Sequence, residues 1–416
     1  MKKKSKYRRI ILILLILTLL SGVTCFFPSA CDWYTDHLYG YFTGLFSRFC
    51  GLIPVSVGEI LTLLAILAGV LSIPFLILLI FLRKKNGYKR FCAGWFKTLL
   101  MAGVIALFLA VPCWLIPVCG NVLGKDNTGK RTDYDFKELT ALYVHMVEGL
   151  NQAAEDIPIA EDGSVNFPTD EELQPLITEA LRSLSDEYPR LSGYYPPVKI
   201  AFTSDIYERM GIGGMTYSLL SEATRNKYQP PYYIPVLNAH ELCHVKGFGK
   251  ENEANFIAMF ALSQSENAFL RFSAYDDILR YLYEKWETAA DQYLHELAAR
   301  GEITLPVVPE LHSGMTQEEK QQMKAALQEY GRVFNQVFAD IPQICERAGQ
   351  IYNTAQDIRE QTYQEDSHPI DEMPAVQEAI ESARETHWEI YAEYMQENSY
   401  DGVVLLLLQY YDGKLY

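Results

Sequence analysis

Three apolar runs dominate the start of the chain: Ile10 to Phe27, Val55 to Leu82 and Leu99 to Val118. Each approaches or exceeds the roughly 20 residues that a helix needs to cross a bilayer. Inside hydrocarbon the backbone must satisfy its own hydrogen bonds, so each run is expected to be a spanning helix. Glu59, Pro74 and Pro112 interrupt these runs only mildly, near helix ends or where neighbouring helices can compensate. The basic segments KKKSKYRR (Lys2 to Arg9) and RKKNGYKRFCAGWFK (Arg83 to Lys97) carry six Lys/Arg each, whereas Pro28 to Pro54 has only Arg48. Positive charge is retained on the cytoplasmic side, so the N-terminus is expected inside and everything after about residue 120 outside.

A cleavable signal peptide is the rival reading of the first run, because basic residues, an apolar stretch and Pro28-Ser29-Ala30 follow in that order. Cleavage would leave the external location of the remainder unchanged. Val23 and Thr24 before Cys25 argue against a lipoprotein anchor there. The eight cysteines form no disulfide framework, although Cys31 and Cys50 flank one external loop and could pair.

Charge separates the two parts of the chain. Residues 98–416 hold 23 of the 36 basic residues but 49 of the 52 acidic ones, a net charge of −26. Such an acidic region excludes nucleic acid as its expected partner. The organisation expected is a membrane region over 1–123, a polar linker over 124–135 and an extracytoplasmic domain over 136–416.

Within that domain the pattern is mostly helical. Leu139, Leu142, Tyr143, Met146 and Leu150 recur at helical spacing, and Thr169 with Glu172, then Thr316 with Glu319, spell capping boxes. His145 lies beside the first stripe and reads as a core or boundary histidine. Val198 to Thr203 and Met215 to Leu220 are β-prone and flank a bend rich in glycine (Gly211, Gly213, Gly214), which predicts a small sheet. The fold class expected is therefore α+β, mostly helical, behind N-terminal transmembrane helices. The apolar stretch in YDGVVLLLLQYY (Tyr400 to Tyr411) is too short to span and reads as a buried terminal helix.

His240-Glu241-Leu242-Cys243-His244 is an HExxH motif. Residues i and i+4 share a helical face, so His240 and His244 can reach one Zn²⁺ while Glu241 lies beside the metal-bound water. Zinc brings the pKa of such water toward about 7, and a neighbouring carboxylate can take its proton. The expected chemistry is hydrolysis of a peptide bond, with His240 and His244 as ligands and Glu241 as base. Cys243 points off the histidine face and reads as packing. The sequence HELAA at His295 to Ala299 begins identically but lacks the second histidine, so it carries no metal role.

A catalytic zinc takes three protein ligands, and a carboxylate is a known third. Gly247 stands where a left-handed turn could end the helix and reverse the chain. A metzincin would have histidine at position 250, which is Lys250 here. Glu251 and Asn255 then share a face at i and i+4, with Ala254 and Ala258 leaving room for a close neighbour. Glu253, on another face, is the rival ligand.

This arrangement resembles the glutamate-zincins, in which a second helix brings E-x-x-x-D to the metal. The resemblance implies Glu251 as third ligand and Asn255, in place of the usual aspartate, as the residue that orients a histidine. In proteases of this kind a strand ahead of the active-site helix pairs with extended substrate, which implies Met215, Thr216 and Tyr217 for that role. Tyr275 and Arg271, on the next helix, are candidates to stabilise developing negative charge. The whole chain also resembles the bacterial three-pass membrane proteins catalogued as domain of unknown function 3810. SVGEI (Ser56 to Ile60), GIGGMTYS (Gly211 to Ser218), the HELCHVKGF and ENEANF segments, RFSAY (Arg271 to Tyr275) and the C-terminal SYDGVVLLLLQYY carry that likeness. It implies a zincin-like domain outside the bacterial cell membrane.

The reading is a multi-pass, membrane-anchored zinc metalloendopeptidase whose partners are the lipid bilayer and a peptide or protein substrate. The alternative is a zincin-derived binding or scaffold protein with structural zinc. An intramembrane protease would need HExxH within a spanning helix, and the polar ENEAN beside the motif argues otherwise.

Overall fold

The structure, a computed structural model, describes residues 2–123, 131–398 and 400–416. Most of the expected linker, Gly124 to Lys130, lies outside the described residues; Arg131 to Asp135 follows without regular structure.

Among the described residues, three helices are long and apolar enough to cross a membrane: Lys6–Phe26, Val57–Phe81 and Asn86–Val118. They correspond to α1 (Lys2–Gly22) with its short extension, α4 (Val57–Phe81), and α5 (Asn86–Ala110) continued through a π turn into α6 (Ile116–Val118). The third starts thirteen residues before the apolar run at Leu99, because the basic stretch after Asn86 is itself helical. At 33 residues it measures roughly 50 Å, longer than the ~30 Å hydrocarbon core.

The segment between the first two spans is helical rather than a loop: α2 (Pro28–Tyr34), a π turn and α3 (Gly40–Gly51). Its polarity is inverted relative to a water-soluble helix. Thr43, Gly44, Ser47 and Cys50 are buried against the rest of the protein, while Tyr41, Leu45 and Phe49 stand 62–85% exposed. A helix with its apolar face outward beside three spanning helices fits the plane of a bilayer surface. Cys31 and Cys50 are both buried free thiols, so the pairing considered from sequence is not made.

The remainder is built on helices α7 (Phe136–Asp156), α8 (Asp170–Ser183), α9 (Ser204–Met210), α10 (Ile234–Val245), α11 (Glu251–Ser263) and α12 (Ala268–Ala299). These are followed by α13 (Gln317–Val337), α14 (Glu346–Glu365), α15 (Pro374–Asn398) and α16 (Tyr400–Tyr411). The expected capping boxes start α8 and α13, and a further one at Asp135 and Glu138 starts α7. One core unites α7, α8, α10, α11, α12, α14 and α16. Helix α11 lies at its centre, buried from Asn252 to Ser263. The apolar face of α16 (Val403, Val404, Leu406, Leu407, Leu408) closes this core rather than meeting lipid. His145 packs its ring edgewise on Tyr411.

The sheet has three strands in the order β1-β3-β2: β1 (Lys199–Ile200) parallel to β3 (Glu222–Arg225), and β3 antiparallel to β2 (Gly214–Tyr217). Both expected strands are shorter than the sequence suggests. The first ends because the N–H groups of Phe202 and Thr203 donate to the Glu59 carboxylate at 3.1 and 2.9 Å. The second ends in a turn that holds Ser221 at φ 50°. The sequence reading missed β3, whose residues Glu222-Ala223-Thr224-Arg225 are all buried and show no alternation.

Charged residues of β3 are buried because each is paired. Glu222 accepts from the N–H groups of Val57 and Gly58 at 3.0 and 2.9 Å, at the first turn of α4, where a carboxylate meets the positive end of the helix dipole. Lys199 Nζ donates to Glu222 at 2.8 Å and to the carbonyls of Cys50 and Val55. Arg225 pairs with Asp170 at 2.6 Å. Removing one partner of a pair buried on both sides, as Lys199 and Glu222 are, typically costs about 3–5 kcal/mol. The sheet and the second span are thus fastened together by groups that leave their bonding positions only at a large cost.

Candidate metal centre

Helix α10 begins with Pro235 in its first turn, where a missing N–H costs nothing. It stops at Lys246 in a Schellman motif: Phe248 N–H donates to the Cys243 carbonyl (3.1 Å) and Gly247 N–H to the His244 carbonyl (3.0 Å). Gly247 holds φ +90°, and a Cβ there would lie 2.6 Å from Thr35 Cγ2. Only glycine permits both that turn and that contact. The chain then reverses past Val118 at the end of α6, again with no room for a Cβ at Gly249, and α11 starts at Glu251 facing α10.

This reversal brings three donor atoms together. His240 Nε2 and His244 Nε2 are 3.0 Å apart, and the Glu251 carboxylate oxygens lie 3.3 Å from the first and 3.4 Å from the second. His244 Nδ1 donates to the Phe248 carbonyl at 2.7 Å, so the neutral ring presents its Nε2 lone pair to the cluster. Three acceptors facing one another require a proton or a cation between them. Burial alone would lower the pKa of His244, but the Glu251 carboxylate, joined by Glu241 and the Phe248 carbonyl, raises it to about 9. Burial likewise opposes ionisation of Glu251, yet the two imidazoles hold its carboxyl well below the usual range.

The donor set fits zinc. A tetrahedral ion with bonds of ~2.0–2.1 Å separates its ligand atoms by about 3.3 Å, close to the spacings found here. The other face of α11 does something else: Glu253 accepts from Leu123 N–H at 2.9 Å and pairs with Lys250 at 3.6 Å, turned away from the histidines.

Glu241 is buried beside the cluster. Its Oε2 accepts from Thr216 Oγ1 at 2.7 Å, and Gly214 makes space for it, since a Cβ there would lie 2.6 Å from Glu241 Oε1. Burial raises the Glu241 carboxyl above its ordinary value, against the pull of both histidines. Cys243 is a fully buried thiol in the core.

His240, Glu241, His244 and Glu251 line a cleft of about 390 Å³ with Gly211 to Thr216 along one wall. Strand β2 is an edge strand, so its outer N–H and C=O groups are unpaired by the sheet. Met215 and Thr216 line the cleft, whereas the Tyr217 ring packs on Gly58 at the start of α4. Asn255 faces the cleft as its spacing from Glu251 requires.

Two expected candidates are elsewhere. Arg271 is held by Asp156 at 2.6 Å and by the carbonyls of Ser265 and Glu266, and Tyr275 packs against Gly149 of α7. Both fall on α12 but face away from the cleft. The residues of α12 that do line it are Asp277 and Tyr281, and Tyr233 ahead of α10 joins them. Burial pushes Asp277 up to about 7, partly offset by Arg280 and also by His240, whose Nδ1 is buried without a hydrogen-bond partner. Asp277 and Tyr281 carry no sequence motif; a helical reading of α12 from Arg271 would have placed them one to three turns further on. His295 is exposed on the surface.

The model of the family described as protein of unknown function (DUF3810) matches residues 34–342. The chain belongs to that family. No curated protein and no solved structure matches it. The matched stretch includes the second and third spans, the sheet and the whole His240/His244/Glu251 cluster, but ends before α14 and the apolar α16. Family membership assigns no chemistry to the centre, so its function must be argued from geometry.

Proposed function

We propose that this DUF3810 protein is a membrane-anchored zinc metallopeptidase with a zincin-like domain outside the cytoplasm. One observation carries the reading: three lone-pair donors at tetrahedral spacing stand beside a buried carboxylate, next to an unpaired strand edge. His240, His244 and Glu251 would hold the ion. Bound zinc would supply Lewis acidity toward a carbonyl oxygen and toward water in the cleft. The chain's own residues do the rest. The β2 edge binds extended peptide through its backbone. Glu241, kept in place by Thr216, receives a proton at its carboxylate and passes it to the leaving amine. The phenols of Tyr233 and Tyr281, which line the cleft with the buried Asp277, replace Arg271 and Tyr275 as donors to developing negative charge.

The function is tested by incubating the zinc-loaded full chain with a broad peptide library. Cleavage is expected, with loss on chelation and recovery on adding zinc; no cleavage by the zinc-loaded chain together with no effect of Glu241→Gln in cells overturns the reading. The orientation is tested separately. A reporter fused after Lys130 is expected to be active only outside the cytoplasm, because both basic segments lie on the other side of the spans. Cytoplasmic activity of the fusion would refute the external location.

A further inference from the structure

The cleft is not walled by the soluble helices alone. Tyr39, Cys113, Trp114 and Pro117 form part of its lining, and the last three belong to the third spanning helix. Outside the cleft lining, Tyr217 of β2 sits on Gly58, within the first turn of the second span. The cleft is therefore bordered directly by the end of the third span, while the start of the second is fastened to the strand that walls it. Trp114, 54% exposed, is the kind of residue that sits at the bilayer–water boundary.

Those two helices are together at one end and apart at the other. Near the basic segment they are joined: Tyr88 OH donates to the Phe75 carbonyl at 2.9 Å, Trp95 Nε1 donates to Ser72 Oγ at 2.9 Å, and the Phe75 ring meets Phe91 and Trp95 edgewise. Toward the cleft, α4 is drawn to the sheet by Glu222, while the chain beyond α5 is held by Tyr39 OH on the Cys113 carbonyl at 3.4 Å and by Gly249 against Val118. Every residue of α4 from Ile60 to Leu67 is exposed. That stretch covers roughly 12 Å, a large part of one leaflet of a ~30 Å core. On the α5 side the small residues Ala102, Gly103 and Ala106 are also exposed. Beyond Ser72 and Trp95 the spans thus leave a wedge between them, with exposed apolar residues on both helices and the end of the third span bordering the cleft.

We infer that the cleft takes polypeptides anchored in the bilayer by an apolar segment, which enters the wedge between α4 and α5 and delivers the adjoining extended stretch to the β2 edge. The inference rests on the peptidase reading above and names its substrate class. Confinement explains why a partly polar cleft suffices: a tethered segment is presented at a high local concentration, so little affinity need come from side-chain pockets. The outward apolar face of α3 serves the same geometry, because it fixes the height of the cleft at the membrane surface.

The test uses the full chain, zinc-loaded, in vesicles of phosphatidylethanolamine and phosphatidylglycerol. The probes are short randomised linkers carried on a single apolar membrane helix, on a palmitoyl chain, or free in solution. Helix-borne linkers are expected to be cleaved on the order of 10²-fold faster than free ones at equal bulk concentration. Cleavage of the helix-borne form alone supports the inference, whereas equal cleavage of both anchored forms assigns the anchoring itself and overturns docking of a helix in the wedge. Free linkers cleaved as fast as anchored ones overturn it and leave the peptidase reading intact. If nothing is cleaved, a binding readout decides the wedge. With Glu241→Gln and a photoreactive residue in place of Leu63, Leu64 or Trp114, crosslinks to the anchor helix support the wedge as its docking site. Crosslinks only to lipid, or to a second copy of this chain, overturn it.

Discussion

Glu241→Gln is expected to leave the chain folded and zinc-loaded while lowering peptide hydrolysis about 10²- to 10⁴-fold, the usual worth of a positioned general base. The substitution is nearly isosteric. A glutamine carbonyl can still accept from Thr216 Oγ1, which now donates to Glu241 Oε2 at 2.7 Å, so the side chain should keep its place between β2 and α10. What it loses is the capacity to receive a proton. Zinc content and thermal stability serve as controls, with turnover on peptides as the readout. An unchanged rate would remove Glu241 from the chemistry. No cleavage by the wild-type chain together with no effect of Glu241→Gln in cells would favour a scaffold with structural zinc, since a catalytic glutamate cannot be silent in both assays.

His240→Ala, His244→Ala and Glu251→Gln should each abolish stoichiometric zinc, a larger effect than the ~10- to 100-fold weakening typical when an outer partner of a ligand is removed. Glu253→Gln should retain the metal. Its carboxylate serves Leu123 N–H and Lys250 on the opposite side of α11, so the cost should appear as a lower melting temperature rather than as lost zinc. Metal analysis of the four purified variants separates the outcomes. Zinc lost from Glu253→Gln and kept by Glu251→Gln would contradict the arrangement in which Glu251 oxygens lie 3.3 and 3.4 Å from the two imidazole nitrogens.

Local sequence determined much of this protein. Length and apolarity alone specify three helices able to span a bilayer, because hydrocarbon leaves the backbone no other way to bond itself. Thr169 with Glu172 and Thr316 with Glu319 specify helix starts, since a cap needs only neighbours three residues away. His240 and His244 share a face by helical pitch, and Gly247 marks the reversal because its φ of +90° suits glycine and little else.

Tertiary structure decided what depends on partners far along the chain. Glu251 and Glu253 both follow the turn, and only the packing of α11 under α10 settles which carboxylate meets the histidines. Arg271 and Tyr275 belong to the helix that flanks the cleft, but its rotation points Asp277 and Tyr281 inward instead. Strand β3 escaped periodicity because both of its faces are buried and its charges are neutralised by Lys199, Asp170 and the first turn of α4. Period and capping are properties of a few adjacent residues, readable in isolation. Burial of a charge is favourable only beside its partner, and Glu222 meets the N-terminus of a membrane helix 164 residues away only once the chain has folded.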